Sequence, residues 1–201
     1  MTQVEFMKEL GYRDRNLLLA HCVYLEDGDY ALLARPNVHV ATNPASNMKL
    51  ANGIAPVARM LKEGVHVCLG TDGASSNNAL NMFGEMRLLS MVQKGAAKDA
   101  LALPAEETIR IATKNGAETI GRDDLGSIEV GKTADFILID ENHPNLRPIY
   151  NRTASLVYSA TGCEVSDVVI GGKVLMRDGH FKTIDEERVY YETERIAARY
   201  R

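Results

Sequence analysis

Two side chains in this 201-residue sequence combine metal-competent chemistry with a particular position: His21 in the run LLLAHCVYL, and Asp72 in VHVCLGTDGASSNN. Each stands at the C-terminal end of an apolar run that reads as a strand. In parallel β/α barrels the active site is built at that end of the strands. An imidazole and a carboxylate there are placed for chemistry rather than for packing. A buried aspartate is also costly unless it is ion-paired, hydrogen-bonded or bound to a metal. Plainer readings stand beside these. A lone histidine near a strand end is commonly a satisfied structural residue, and an aspartate in a Gly-Thr-Asp-Gly turn can simply cap the helix that follows.

The elements that must position the pair follow from periodicity. Val4, Phe6, Met7 and Leu10 have near-helical spacing, and Gly11 is a stop before an apolar strand over Leu17–Leu25. A polar or helical stretch at 26–36, a strand at Val38–Thr42, a helix at 54–63 stopped by Gly64 and a strand at Val65–Gly70 continue the alternation. Strands that alternate with helices and lack polar residues at every second position describe βα units of a parallel sheet. Two helices are expected at 78–94 and 104–120, the second opened by Pro104 with Glu106 and Glu107 in its first turn. From about residue 126 the texture changes to short strands: Ala134–Asp140, Leu156–Ser159, and a hairpin of Val168–Ile170 with Lys173–Met176. The hairpin turns on Gly171-Gly172, a dipeptide suited to a type I′ turn. Residues 185–201 read as a terminal amphipathic helix.

Composition narrows the function classes. With 45% hydrophobic and 25% charged residues the chain is in the ordinary globular range. A formal charge of −4, with no run of Lys or Arg longer than two residues, gives no basic face for a nucleic-acid partner. The first sixteen residues carry charges throughout and no stretch of eighteen apolar residues occurs, so neither export nor a membrane partner is expected. Cys22, Cys68 and Cys163 are widely separated and form no CxxC pair. That argues against a disulfide framework and a cysteine-type zinc site, and for a reducing, cytoplasmic setting.

The segments HCVYL, NPASNMKLANGIAP, LGTDGASSNN and NMFGEMR, followed by GSIEVGKTADFILID and VVIGGKVLMRDG, resemble the C-terminal half of metal-dependent amidohydrolases. The branch in question deaminates S-adenosylhomocysteine and methylthioadenosine, and has relatives that act as chlorohydrolases on triazine-like rings. The resemblance implies an α/β fold with about the last three βα units of a TIM-type (β/α)8 barrel in residues 1–124. A partial β-sandwich module would follow at 125–184 and a C-terminal helix at 185–201.

By the same resemblance, His21 and Asp72 are the catalytic residues and Asp72 is the metal ligand. His21 would contact the attacking water or the group under attack, and Asp72 would take a proton from that water and return it to the leaving group. The cofactor implied is one Zn2+ or Fe2+ ion, only partly liganded by this chain. The substrate implied is a small nucleoside or triazine-like ring. Asn43–Gly53 reads as a loop whose Pro44, Ser46, Asn47 and Gly53 line the pocket mouth or form a rigid connector, and Thr42 stands where relatives often have histidine. Ser75, Ser76, Asn77 and Asn78 offer caps for the next helix, and Cys22 should point away from His21. His66 and Cys68 share one strand face and read as core; His39, His143 and His180 have no partner spacing that suggests a metal.

What the resemblance requires and the sequence lacks is equally definite. There is no His-x-His pair and no His-x-x-Glu. Two candidate groups fall short of the three protein ligands usual at catalytic zinc. Three βα units cannot close a barrel, and their open sheet edge invites a missing N-terminal half or self-association. The expectation is a hydrolase portion that is inactive alone. The alternative is a non-catalytic half-barrel interaction subunit.

Overall fold

The computed structural model describes residues 2–12 and 15–200. Helix α1 (Gln3–Glu9) starts at a reciprocal capping box between Thr2 and Glu5. It leads to strand β1 (Leu17–Ala20), and helix α2 (Asp29–Leu33) carries the chain to strand β2 (Val38–Thr42). Helices α3 (Pro44–Lys49) and α4 (Val57–Lys62) lie between β2 and strand β3 (His66–Leu69). The three strands form a parallel sheet in chain order, with Leu18 level with His39 and His39 level with His66. Helices α5 (Ala74–Asn77), α6 (Met82–Ala97), α7 (Ala105–Ala112) and α8 (Lys114–Thr119) follow.

The two faces of the parallel sheet differ. Val38, Val40 and Val67 are at most 4% exposed and pack with Leu33, Val57, Met60, Leu89 and Ile111 into the main core. On the other face the register aligns Leu18, His39 and His66 in one layer and Ala20, Ala41 and Cys68 in the next. Leu18 is 56% exposed there. The helices therefore cover one side of the sheet, and toward β1 the other side is open.

Strand β4 (Phe136–Ile139) opens a four-stranded antiparallel sheet with β5 (Val165–Ile170), β6 (Lys173–Arg177) and β7 (His180–Phe181). Gly171 and Gly172 have φ of 58° and 74°, the left-handed pair that a type I′ turn requires. Helix α9 (Arg152–Tyr158) precedes β5, and helix α10 (Glu186–Ala197) ends the described chain without a buried residue. The protein is thus α/β, and among the described residues no helix is long and apolar enough to cross a membrane.

Several sequence expectations need correction. The apolar run Leu17–Leu25 is a strand only to Ala20, because His21 and Cys22 take left-handed φ values of 68° and 45° and turn the chain out of the strand. Leu156–Ser159 lies largely in α9 and not in a strand. Asn151 caps it by accepting from the Ala154 amide, and fully buried Val157 joins the core with α6 and α7. Short apolar runs carry no period that separates the two states. The expected helix at 104–120 breaks at Thr113, where ψ is −84°. A Cβ on Gly126 would meet the Lys114 backbone at 2.7 Å, so the loop after α8 seats directly on this break.

Leu33 is fully buried between α2 and the sheet, whereas Leu18 lies on the open face. Leu33→Ala should cost about 2–5 kcal/mol in urea unfolding and Leu18→Ala well under 1, the difference between leaving a cavity and trimming exposed surface.

Candidate functional site

His21 and Asp72 both lie just beyond strand ends of the parallel sheet, those of β1 and β3. His21 follows β1 directly, and its amide extends the ladder to the Ala41 carbonyl at 2.9 Å. Beyond β3, Gly70 and Thr71 lead to Asp72, which also holds a left-handed φ, 61°. Such a conformation in a non-glycine residue stores about 1–3 kcal/mol and persists only where the surroundings fix it. Both turns aim their side chains over the same end of the sheet, and His21 Nε2 lies 3.8 Å from Asp72 Oδ2. Each side chain remains about one-third exposed.

Helix α3 fixes both. Ser46 donates its hydroxyl to Asp72 Oδ2 at 2.6 Å, and Asn47 Oδ1 lies 2.8 Å from His21 Nδ1. In the neutral ring this second contact puts the imidazole proton on Nδ1, since the amide oxygen can only accept. Nε2 is then a bare lone pair directed at a carboxylate oxygen, too far for a hydrogen bond. Two lone pairs facing one gap form an arrangement that a cation or a protonated nucleophile would bridge. Asp72 Oδ1 accepts from the Gly73 amide at 2.7 Å. The Ser46 hydroxyl first, then the Gly73 amide and Ser76, hold the Asp72 carboxyl below the usual aspartate range.

The amidohydrolase family profile matches residues 1–175.

The chain belongs to the amidohydrolase family.

Among amidohydrolase relatives, a 5-methylthioadenosine/S-adenosylhomocysteine deaminase of Desulforudis audaxviator is 49% identical over 197 residues, which are 98% of this chain and 46% of that protein. The like-named enzyme of Dictyoglomus thermophilum is 43% identical over the same share of each. Of solved structures, a zinc-bound adenosine deaminase from Xanthomonas campestris superposes with a TM-score of 0.94 at 34% identity, covering 97% of this chain and 45% of that one. A mutant atrazine chlorohydrolase from Arthrobacter aurescens with zinc and atraton gives 0.90 at 28%, covering 96% and 43%. The chain spans about half the length of the curated relatives it matches.

The donor set fits a zinc-type ion in kind and falls short in number. Asp72 offers an ionised oxygen and His21 a free imidazole nitrogen. Among the described residues no third His, Cys, Asp or Glu converges with them. Cys22 does not contribute: it packs against the core, and burial, then the charge of Asp29, push its thiol up to about 11.

Other expectations are modified. Asp72 is exposed rather than buried in this chain, and a buried acid behind it is Glu85, 2% exposed on α6. Glu85 accepts from the Ala45 amide and from Asn77 Nδ2, and Asn77 also donates to the Thr71 carbonyl. One carboxylate thereby ties the start of α3 to the Asp72 loop. Burial pushes the Glu85 pKa up, while its two amide donors oppose the rise. Its signal in the sequence is a charge one helical turn before Leu89 on the apolar face of NMFGEMRLL.

The expected loop Asn43–Gly53 contains α3, with Pro44 at its first turn and Ser46 and Asn47 buried. Ser75, Ser76 and Asn77 form α5 instead of capping the long helix; Asn81 does that by accepting from the Phe83 and Gly84 amides. Thr42 is buried. Cys68 is core, but His66 is half-buried, with Nδ1 2.9 Å from His39 Nδ1 and Nε2 3.0 Å from Glu118. That chain of partners lies at the N-terminal end of the strands, away from Asp72.

Ser46→Ala removes the strongest donor to Asp72. The Asp72 carboxyl pKa should rise toward the ordinary aspartate value, read by carboxyl-carbon NMR titration against wild type. An unmoved titration would show that the Ser46 hydroxyl does not hold the carboxylate.

Proposed function

We propose that this chain is the C-terminal portion of a metal-dependent amidohydrolase that hydrolytically removes an exocyclic amine, or chloride, from a purine- or triazine-like ring. The substrate class we favour is an adenosine derivative such as S-adenosylhomocysteine or methylthioadenosine, the substrates in the names of its relatives. The observation that carries this reading is the convergence of His21 Nε2 and Asp72 Oδ2 at the C-terminal ends of parallel strands. Active sites of β/α barrels are built at that end. We read the parallel sheet as the last three βα units of such a barrel, residues 1–124, beside a partial β-sandwich at 125–184 and a terminal helix at 185–201.

In this reading Asp72 has two tasks. It would hold the ion, and it would take a proton from the attacking water and return it to the departing amine. A carboxylate kept ionised by Ser46 and Gly73 is suited to ligation. His21, held by Asn47, orients the nucleophile through Nε2. A zinc or iron ion, when bound, would lower the pKa of water toward neutrality, roughly 7 in zinc hydrolases. Because catalytic zinc takes three protein ligands, the remaining groups have to come from another segment. The exposed free edge of β1, flanked by Leu18 and Tyr24 at 56% and 84% exposure, is where we place that segment or a second copy.

The chain alone, with added zinc, should release no ammonia from S-adenosylhomocysteine or methylthioadenosine. Mixed with the N-terminal half of the Desulforudis relative it should turn over both, and Asp72→Ala should abolish turnover in the mixture. Turnover by the purified chain alone would overturn the incomplete-site reading. A stable mixed complex without turnover would favour the non-catalytic subunit.

A further inference from the structure

A second group of ligating side chains lies far along the chain from the His21–Asp72 pocket, where the loop after α9 meets the 3-10 turn Pro144–Leu146. His143 precedes that turn, Cys163 is exposed on the loop, and Glu164 beside it is 2% exposed. One donor atom from each of the three lies within 4.8 Å of the other two. Sequence spacing gave no hint of this, since twenty residues separate His143 from Cys163 and no cysteine pair is present. We propose that His143, Cys163 and Glu164 form a second metal site, for a borderline-soft divalent cation of the zinc class.

The geometry is close to what such an ion requires. Cys163 Sγ is 3.9 Å from His143 Nε2. Zn–S and Zn–N bonds of about 2.3 and 2.0–2.1 Å at a tetrahedral angle place sulfur and nitrogen about 3.5 Å apart. Rotation of two side chains at the surface closes that difference. Glu164 Oε1 lies 3.9 Å from His143 Nδ1 on the inner side of the group.

The hydrogen bonds leave room for the ion. Glu164 Oε2 accepts from the Thr161 and Gly162 amides, both at 2.9 Å, and Oε1 accepts from Asn145 Nδ2 at 2.8 Å. The Thr161 hydroxyl is within reach of Oε1 at 3.1 Å, Oε2 at 3.3 Å and Cys163 Sγ at 2.9 Å. It has one proton and can satisfy one of the three. Donated to sulfur, the nearest, it supports a thiolate and frees a lone pair on Oε1. His143 Nδ1 accepts from the Asn145 amide at 3.4 Å, a bond weak enough to give up when the ring proton moves to Nδ1 and Nε2 turns to a metal.

The charge balance points the same way. Glu164 is buried, and among the described residues its one ion-pair partner is His143. No Lys or Arg there neutralises it. A thiolate, an imidazole and a carboxylate with one open position make the mixed donor set zinc accepts, while sulfur disfavours magnesium and calcium.

The test is a cobalt(II) titration of the full chain, following the thiolate-to-cobalt charge-transfer band in the near ultraviolet. The band should appear in wild type and in Asp72→Asn, which alters only the other site. It should vanish in Cys163→Ser. His143→Gln should weaken binding by at least the roughly tenfold that losing even an outer-sphere partner costs. Both altered side chains are at the surface, and circular dichroism of each variant verifies the fold. No band in wild type at millimolar cobalt, a band that persists in Cys163→Ser, or an unchanged affinity in His143→Gln would each overturn the site.

Discussion

The end of the parallel sheet is organised by a single buried carboxylate. Glu85 on α6 is 2% exposed and has no cation against it among the described residues. Its charge is compensated by directed amide donors: the Ala45 amide at 3.1 Å and Asn77 Nδ2 at 2.6 Å. Hydrogen bonds to a charged group contribute about 1.5–3 kcal/mol each, and leaving the group bare would cost at least as much. Because the donors come from different segments, satisfying one side chain fixes the relative position of α3 and the Asp72 loop. Ser46 and Asn47, which touch Asp72 and His21, are carried on α3. The distance between His21 and Asp72 is therefore set from behind, by a residue that touches neither.

That support explains how the site tolerates strain. His21, Cys22 and Asp72 all hold left-handed φ values without being glycine. At His21 the cost is offset by the ladder bond to Ala41 and by Asn47 on the ring. At Asp72 it is offset by Ser46 and by the Gly73 amide, which meet both carboxylate oxygens. The same bonds that hold the backbone in place keep the carboxylate ionised, so shape and charge are settled by one set of contacts. Gly70 belongs to this arrangement: a Cβ there would approach Asn43 Oδ1 to 2.6 Å, so any other residue would have to displace the Asn43 side chain.

Much of this was legible in the sequence where a periodic pattern or a fixed turn chemistry carried it. The apolar strands Val38–Thr42 and His66–Leu69, the Gly171-Gly172 hairpin and the terminal helix required only local information. So did the placement of His21 and Asp72 at strand ends. The failures share a cause. Leu156–Ser159 is short and apolar, and whether it coils or extends is settled by α6 and α7, which lie far away in sequence. The end of β1 at Ala20 inside a continuous apolar run depends on Ala41 and Asn47 fixing His21. Glu85, and the meeting of His143 with Cys163, depend on chain reversals that no spacing rule encodes.

The open face of the parallel sheet ties the site to the rest of the family's architecture. Leu18 and Ala20 project from β1 toward solvent, and the small side chains of Ala20 and Ala41 fill little of the space above the sheet. A cation held at the strand ends over such a face would sit beside water on one side. There the attraction of a single carboxylate is screened, and a unit-charge pair at 4 Å contributes only about 1 kcal/mol at the dielectric constant of water. Enclosure by further strands would do two things together: supply the missing ligands and remove the water that weakens the ones present. The ligand deficit and the exposed face are therefore one deficit. A segment that completed the sheet without bringing metal ligands would leave Asp72 desolvated and its charge uncompensated, which is the costlier state. In the reading proposed here, the segment that covers this face brings ligands along with apolar surface.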